Sequence, residues 1–502
     1  MTSAPNTRVL RWPNALRFPI HFGMNFLRWI GCALMAVGFA QGAENAARPN
    51  ILFCIADDWS WPHAGIYGDK VVRTPTFDRI AREGAVFQNA FCAAPSCSPS
   101  RAAILTGRAV HQLEEGGNLW GFLPSRFETY PDTLERAGYF VGHIGKGWGP
   151  GNFEAGERTR NPAGPMFRSF EGFLSQKPKD KPFCAWVGSR DPHRPYERGT
   201  GARSGLKSED VRVPAFWPDT AEVRGDILDY YFEVERCDRE VGALVRLLEE
   251  RGELDNTVII FTGDNGWPFP RSKANLYDGG TREPLAIRWP RKIKAGQSIE
   301  SFVNLQDIAP TILELAGLVP AKEMVGRSLV PLVTGAERDG QRTRVFLERE
   351  RHANVRQGDL SYPSRAVRTT DFLYIRNLRP ERWPAGDAQM WKAVGEFGDC
   401  DAGLTKEAIL SQRNEPAMKP LFQLCFGLRP AEELYDLRKD PWQTNNVAAS
   451  PAFASVKEKL RTELEAWRQN TADPRLDPKD ERFEKAPYFG DAKRMPQKTV
   501  NQ

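Results

Sequence analysis

Ile51-Leu52-Phe53-Cys54-Ile55-Ala56-Asp57-Asp58 is an unbroken apolar run closed by two aspartates. An amphipathic helix would interrupt such a run every third or fourth residue, and a half-exposed strand would alternate. Doing neither, it reads as a strand buried on both faces, as in a parallel sheet covered by helices. Thr257-Val258-Ile259-Ile260-Phe261-Thr262 has the same character and leads, past Gly263, to Asp264-Asn265. Phe183-Cys184-Ala185-Trp186-Val187 is a third run, leading into Ser189-Arg190-Asp191-Pro192-His193. Tyr139–Ile144 and Pro284–Trp289 are expected strands as well.

Between these runs the apolar spacing becomes helical. Thr74-Pro75-Thr76 opens a helix through Arg82, and Pro131–Ala137 and Gln306–Ala316 are further helices. Ile227, Tyr231, Val234, Val241, Leu244, Val245 and Leu248 mark one face of a helix over Asp226–Glu250. A glycine- and proline-rich loop covers Gly145–Pro165. The alternation defines an α/β fold, a mixed or parallel sheet sandwiched by helices. Ligands in such folds bind beyond the carboxyl ends of strands, where Asp57-Asp58, Asp191–His193 and Asp264-Asn265 all stand. Past residue 340 the character shifts: Arg365–Asn377 and Glu433–Leu437 read as strands and Pro451–Gln469 as a helix. The expected divisions are a leader at 1–43, a main α/β domain at 48–340, a smaller C-terminal α+β domain at 341–473 and a charged tail at 474–502, surface-hugging or loose.

The leader is read from Arg28, the apolar segment Ile30–Phe39 and the small residues Ala40-Gln41-Gly42-Ala43, the pattern of a secretory signal. Its apolar run is too short for a comfortable membrane span, so export without a stable membrane anchor is expected. Met24 offers an alternative start. The 69 lysines and arginines against 64 aspartates and glutamates leave a net +5, which fits an acidic substrate. No basic tract or zinc-finger spacing points to nucleic acid. Eight cysteines follow no metal or disulfide framework, and Cys54 reads as core. Cys32 leaves with the leader, while Cys400 and Cys425 are free to pair in an oxidising compartment.

One further stretch carries chemistry: Cys97-Ser98-Pro99-Ser100-Arg101, followed by an apolar helical run to Arg108. It puts a reactive side chain at a helix N-terminus, which favours an anion. A buried cysteine at a helix cap is the plainer alternative. Asp57, Asp58, Asp264 and Asn265 offer the hard oxygens that calcium or magnesium takes, and three carboxylates together carry a charge that a divalent cation would relieve. Taken singly, each is as well explained as a cap or turn acid. Arg101, Lys146, His193 and Lys273 supply cations for an oxyanion near that metal.

These residues resemble the type I sulfatases, of the alkaline-phosphatase-like fold, from Asn50 to about Asp473. Phe261–Pro270 with Asn275-Leu276-Tyr277, Ser361–Arg365, Glu433–Asp436 and Asp440-Pro441 are most similar to the sulfamidase branch, which cleaves N-sulfate from glucosamine. The resemblance implies that Cys97 is converted to formylglycine by a formylglycine-generating enzyme and that its hydrate is the nucleophile. It implies one Ca2+ held by Asp57, Asp58, Asp264, Asn265 and residue 97. Arg101 would steady the formylglycine, Lys146 and Lys273 would bind sulfate oxygens, and His193 would protonate the leaving group. Two departures stand out. Lys273 replaces the arginine of that branch, losing a bidentate contact. Trp148 occupies the place of a histidine two residues after Lys146, and His143 is expected to face elsewhere on its strand. Arg190, Asp191, Glu348, His352 and Arg365 are expected to reach a sugar, with a solvated charge run the alternative for Glu348–His352. Trp383 is expected in the core. The expected activity is removal of sulfate from a sulfated glycan, by preference N-sulfate; an O-sulfatase or a weakly catalytic sulfated-glycan binder are the alternatives. Oligomeric state is left open.

Overall fold

A computed structural model describes residues 48–391 and 395–490, so the leader at 1–43, with Cys32 and Met24, lies outside the described residues. The expected strands form, with others, a nine-stranded sheet. Its members are β1 (Asn50–Ala56), β2 (Ala85–Phe91), β3 (Phe140–Gly145), β4 (Met166–Phe167) and β5 (Phe183–Gly188). β6 (Thr257–Gly263), β7 (Arg282–Glu283), β8 (Leu285–Arg288) and β9 (Gln297–Asn304) complete it. The order is β4-β3-β5-β1-β6-β8-β2-β7, with β9 also on β2. The β3-β5-β1-β6 centre is parallel, whereas β8 pairs antiparallel with both β6 and β2. The sheet is mixed.

The alternation of β1 explains its unbroken apolar sequence. Leu52, Cys54 and Ala56 enter one core with Ile227, Val234 and Val241 of α3, defined below. Ile51, Phe53 and Ile55 enter the opposite core with Ala102, Ile104 and Leu105 of α2. Full burial of each Leu, Ile or Phe contributes about 1.5–3 kcal/mol. The flanking helices are α1 (Pro75–Arg82), α2 (Cys97–Thr106) and α3 (Ala221–Glu250). α3 starts five residues before the expected Asp226, because the Thr220 side chain caps the Val223 N–H. β2 and β9 were not legible: Gln88 and Asn89 interrupt β2 where it is half-exposed, and β9 mixes polar with apolar residues.

A second, antiparallel sheet runs β10 (Arg344–Arg349), β11 (Ser364–Thr369), β12 (Phe372–Asn377) and β13 (Glu432–Asp436). Helix α4 (Ala454–Asn470) packs on it through Leu460 and Leu464. The described residues of both sheets belong to one compact unit.

Three expectations are corrected. Glu348–His352 is no solvated run, since none of the five residues is more than 5% exposed. Opposite charges from distant segments make that burial tolerable: Arg349 pairs with Asp399, and Glu350 with Arg365 and Arg475. The described part of the tail is not merely on the surface, because Arg475 pairs with Glu350 and Glu484 and Phe483 is fully buried. Cys400 and Cys425 are not joined; each is a buried free thiol, facing the Asp401 and Phe216 carbonyls. Trp383 is partly buried against the first core, as expected. Among the described residues no helix is long and apolar enough to cross a membrane.

Candidate active site

Parallel pairing assembles the acids. Ala56 stands opposite Gly263 in the β1–β6 register, so Asp57 and Asp264 leave the sheet side by side. Asp58 turns back on a left-handed backbone, φ 74°, and donates its N–H to Asp264 Oδ1 at 3.0 Å. Carboxylate oxygens of Asp57, Asp58 and Asp264 lie within 4.8 Å of one another, all buried.

Cys97 opens α2 beside them, its Sγ 3.5 Å from Asp57 Oδ1 and 3.9 Å from Asp58 Oδ1. One turn later the fully buried Arg101 donates Nε to Asp264 Oδ2 at 2.7 Å. Its Nη1 reaches the carbonyls of Lys146 and Gly147 at 2.9 and 3.0 Å, tying α2 to the turn after β3. Lys146, the residue after β3, donates Nζ to both Asp57 oxygens at 2.6 Å. Lys273 donates to Asp58 Oδ2 at 2.7 Å and pairs with Asp401 Oδ2 at 3.3 Å. His193 Nδ1 contacts the Arg194 carbonyl at 2.5 Å. A carbonyl only accepts, so Nδ1 carries the hydrogen and Nε2 turns to the acids, 3.8 Å from Asp58 Oδ2. Nitrogen of His193, sulfur of Cys97 and oxygen of Asp57 lie within 4.8 Å of one another.

Electrostatics follow from this crowding. Burial resists the charge on Asp57, but Lys146, His193 and Arg101 overcome it and hold the carboxyl far below its usual range. Asp264, where burial dominates over Arg101, is pushed up to about 6. Burial is also the main reason the Cys97 thiol is raised well above its ordinary value. Lys146 and Lys273 stay cationic because their acidic neighbours outweigh burial.

The donor set fits a hard divalent cation, for a different reason than the acids alone suggest. Asp57, Asp58 and Asp264 are matched by Arg101, Lys146 and Lys273, so their charges already balance. Asn265 supplies the sharper signal. Its amide nitrogen donates to Asp58 Oδ1 at 2.7 Å and to the Gly266 carbonyl at 3.0 Å, while its Oδ1 is buried without a partner. Such an oxygen is costly unless something electropositive meets it, and four oxygen-bearing side chains around it suit calcium.

The expected sugar contacts fare differently. Arg190 is exposed on the His193 loop and free to meet a ligand. Asp191 is buried in an ion pair with Arg236. Glu348 accepts from the Val110 and His111 N–H groups at 2.7 and 3.1 Å and pairs with the His111 ring at 2.7 Å. Arg365, fully buried, pairs with Asp473 at 2.9 Å and Glu350 at 2.7 Å. His352 has its Nδ1 2.8 Å from the Oγ of Ser96, the residue just ahead of Cys97, and feels the charges of Lys273 and Asp401. The polar groups of Asp191, Glu348 and Arg365 are thus spent on the protein itself, which corrects the expectation for these three. Trp148 is buried in the second core, its backbone N–H donating to Asn161 Oδ1 at 2.9 Å. His143 faces away, as expected, to the Gly164 carbonyl at 2.8 Å. Asp401 is a residue the sequence did not single out. It stands in a loop some 130 residues after Lys273 in the chain, and an acidic loop residue carries no local mark of such a partner. A cavity of about 680 Å³ lined by Trp61, Trp267, Trp442, Arg212 and Arg282, among others, includes none of the clustered residues.

The sheet, the acid cluster and the cysteine-headed helix define the class, and the chain belongs to the sulfatase family: residues 49–318 match it, and the chain is a sulfate ester or sulfamate hydrolase. Residues 263–389 match the family described as N-sulphoglucosamine sulphohydrolase, C-terminal. Human N-sulphoglucosamine sulphohydrolase is 31% identical, over 88% of this chain and 94% of that protein. An ulvan-active sulfatase of Formosa agariphila is 28% identical, over 84% of this chain and 74% of its own. The fold is shared with a protein solved in complex with its substrate D-glucosamine-2-N,6-O-disulfate, at a TM-score of 0.62, 20% identity and coverage of 86% of this chain and all of that one. It is likewise shared with a phosphonate monoester hydrolase of Agrobacterium radiobacter, at 0.62 and 19% identity over 84% of this chain and 96% of that one.

Proposed function

We propose that this sulfatase is exported and removes sulfate from a sulfated glycan, by preference the N-sulfate of a glucosamine residue. The observation that carries this is the convergence of Arg101, Lys146, Lys273 and His193 on Cys97 and three buried acids. The 31% identity to human N-sulphoglucosamine sulphohydrolase supports the N-sulfate preference. Cys97 is the precursor of formylglycine, formed by a maturation enzyme, and its hydrate supplies the nucleophilic oxygen. Asp57, Asp58, Asp264 and Asn265 hold one calcium ion, which supplies Lewis acidity and offsets sulfate charge.

The chain's own residues do the rest. Lys146 and Lys273 each have ammonium hydrogens beyond those given to Asp57 and Asp58, and these are positioned to bind sulfate oxygens. Arg101 holds the first turn of α2 against Asp264, fixing residue 97 relative to the acids. His193, with Nδ1 bound to the Arg194 carbonyl, presents Nε2 to give a proton to the departing atom. His193 also stands within 4.8 Å of the residue-97 side chain, in a protein that has Trp148 where a second imidazole is expected.

Mass spectrometry of the tryptic peptide bearing residue 97 tests the assignment. Replacement of CH2SH by CHO lowers the peptide mass by about 18 Da, off the ordinary thiol oxidation ladder. Unmodified cysteine throughout protein from its native host refutes the catalytic reading. Sulfate release from N-sulfoglucosamine and from O-sulfated sugars then separates the N-sulfatase from an O-sulfatase. Binding without release marks a glycan-binding protein.

A further inference from the structure

Asp401 is the one carboxylate of the cluster that reaches the mouth of the site. Its side chain is 30% exposed, against 4% for Lys273 and none for Asp58. Oxygens of Asp401 and Asp58 and a nitrogen of His193 all lie within 4.8 Å of one another. Asp401 therefore stands beside the imidazole that the proposed function makes the proton donor.

The loop that carries it is fastened to the His193 loop. Arg194 donates Nη1 and Nη2 to the two Asp226 oxygens, each at 2.8 Å. Asp226 Oδ2 also accepts from the Thr405 N–H at 3.0 Å and hydroxyl at 2.7 Å. Lys406 closes the loop on the Phe397 and Cys400 carbonyls at 3.1 and 2.7 Å. A side chain at Gly403 would press on the Arg194 guanidinium, which would have to shift from its present position. Asp401 is thus held where it is rather than drifting there from a free loop.

We propose that Asp401 is a specificity-determining residue that favours a nitrogen over an oxygen leaving group; this rests on the sulfatase assignment of the same site. The chemistry distinguishes the two. For R–NH–SO3⁻ + H2O → R–NH3⁺ + SO4²⁻, the S–N bond breaks, its electron pair stays on nitrogen, and nitrogen takes the proton offered by His193. The formylglycine hydrate gives the oxygen to sulfur, and water then restores the hydrate, His193's proton and the second proton of the amine. The sulfamate nitrogen, more basic than an ester oxygen, takes that proton ahead of S–N cleavage and is transiently cationic, the freed amine gaining its second proton from solvent after it leaves; an ester oxygen is protonated only as it departs as a neutral alcohol. A fixed carboxylate beside His193 stabilises the charge growing on nitrogen and has no counterpart to act on in the alcohol.

The test is the ratio of kcat/KM for N-sulfoglucosamine to kcat/KM for glucosamine 6-O-sulfate, measured on mature full-length wild type and on Asp401→Asn and Asp401→Glu. Any loss that Asp401→Asn causes through Lys273 acts on sulfate, common to both substrates, and cancels in the ratio. The ratio should fall roughly tenfold or more in Asp401→Asn, chiefly through kcat, and recover in part in Asp401→Glu. An unchanged ratio, with or without loss of both activities, overturns the assignment of Asp401 and leaves the sulfatase reading standing. A wild type that releases only O-sulfate overturns the N-sulfate preference and Asp401's role with it.

Discussion

Asp264→Asn is nearly isosteric, yet the site has no way to accommodate it. Asp264 Oδ1 accepts the Asp58 N–H at 3.0 Å, and Oδ2 accepts Arg101 Nε at 2.7 Å. An asparagine offers one acceptor and one NH2, so in either orientation a buried donor faces another donor. Leaving one buried donor unmet costs about 1–3 kcal/mol. Stripping a buried charge of its partner costs about 3–5 kcal/mol. Arg101 keeps the Lys146 and Gly147 carbonyls and an Asp57 oxygen at 3.5 Å, so about 3 kcal/mol is the better expectation. At about 2.1 cal/mol/K per residue over the 440 or so described residues, that lowers Tm by about 3 °C. Calcium at a hundred times its Kd should add about 2.7 kcal/mol to the wild type, a further rise of about 3 °C that chelation reverses. The variant should show neither the calcium shift nor turnover. Thermal unfolding by circular dichroism, with calcium and with chelator, reads both effects. A variant that melts within about 1 °C of wild type and keeps the calcium shift would remove Asp264 from the metal centre and refute the bond accounting above.

The remaining tests probe separate parts of the molecule. Lys146→Met should cost about a hundredfold or more in kcat/KM, since it removes an oxyanion partner and strands Asp57; near-normal kinetics would dismiss Lys146 from sulfate binding. Glu348→Ala unpairs the Val110 and His111 N–H groups and should destabilise the chain by about 3 kcal/mol while KM stays within about twofold. A large KM rise at unchanged stability would return Glu348 to the substrate. His352, pushed down to about 4 chiefly by burial from its ordinary 6.5, stays neutral in the folded chain while the unfolded chain takes up a proton. Stability should accordingly fall as pH drops from 6.5 to about 4, by on the order of 3 kcal/mol. His352→Gln should flatten that part of the denaturation profile, and an unaltered pH slope would assign the acid sensitivity elsewhere.

The sequence by itself determined the parallel centre of the main sheet and the grouping of its acids, because both are written locally. β1 and β6 are apolar without interruption since each face of the sheet has its own core, and the acids follow at once in the chain. Their convergence needed only parallel pairing in register. Cys97 and Arg101 are one helical turn apart, so their relation to each other was legible too. Tertiary structure decided what depended on distant partners. Glu348 and Arg365 look like surface charge or sugar ligands until His111, Asp473 and Glu350 close around them. A buried ion is tolerated only when its counter-charge arrives, and that partner can be anywhere in the chain. Asp401 joined the site for the same reason: a loop docked through Asp226 carries it to Lys273. What calls for a cation in the folded chain is not the three acids, whose charges three cations meet, but one buried amide oxygen without a donor. Sequence can count charges, but which oxygen goes unmet is settled only when the chain has folded.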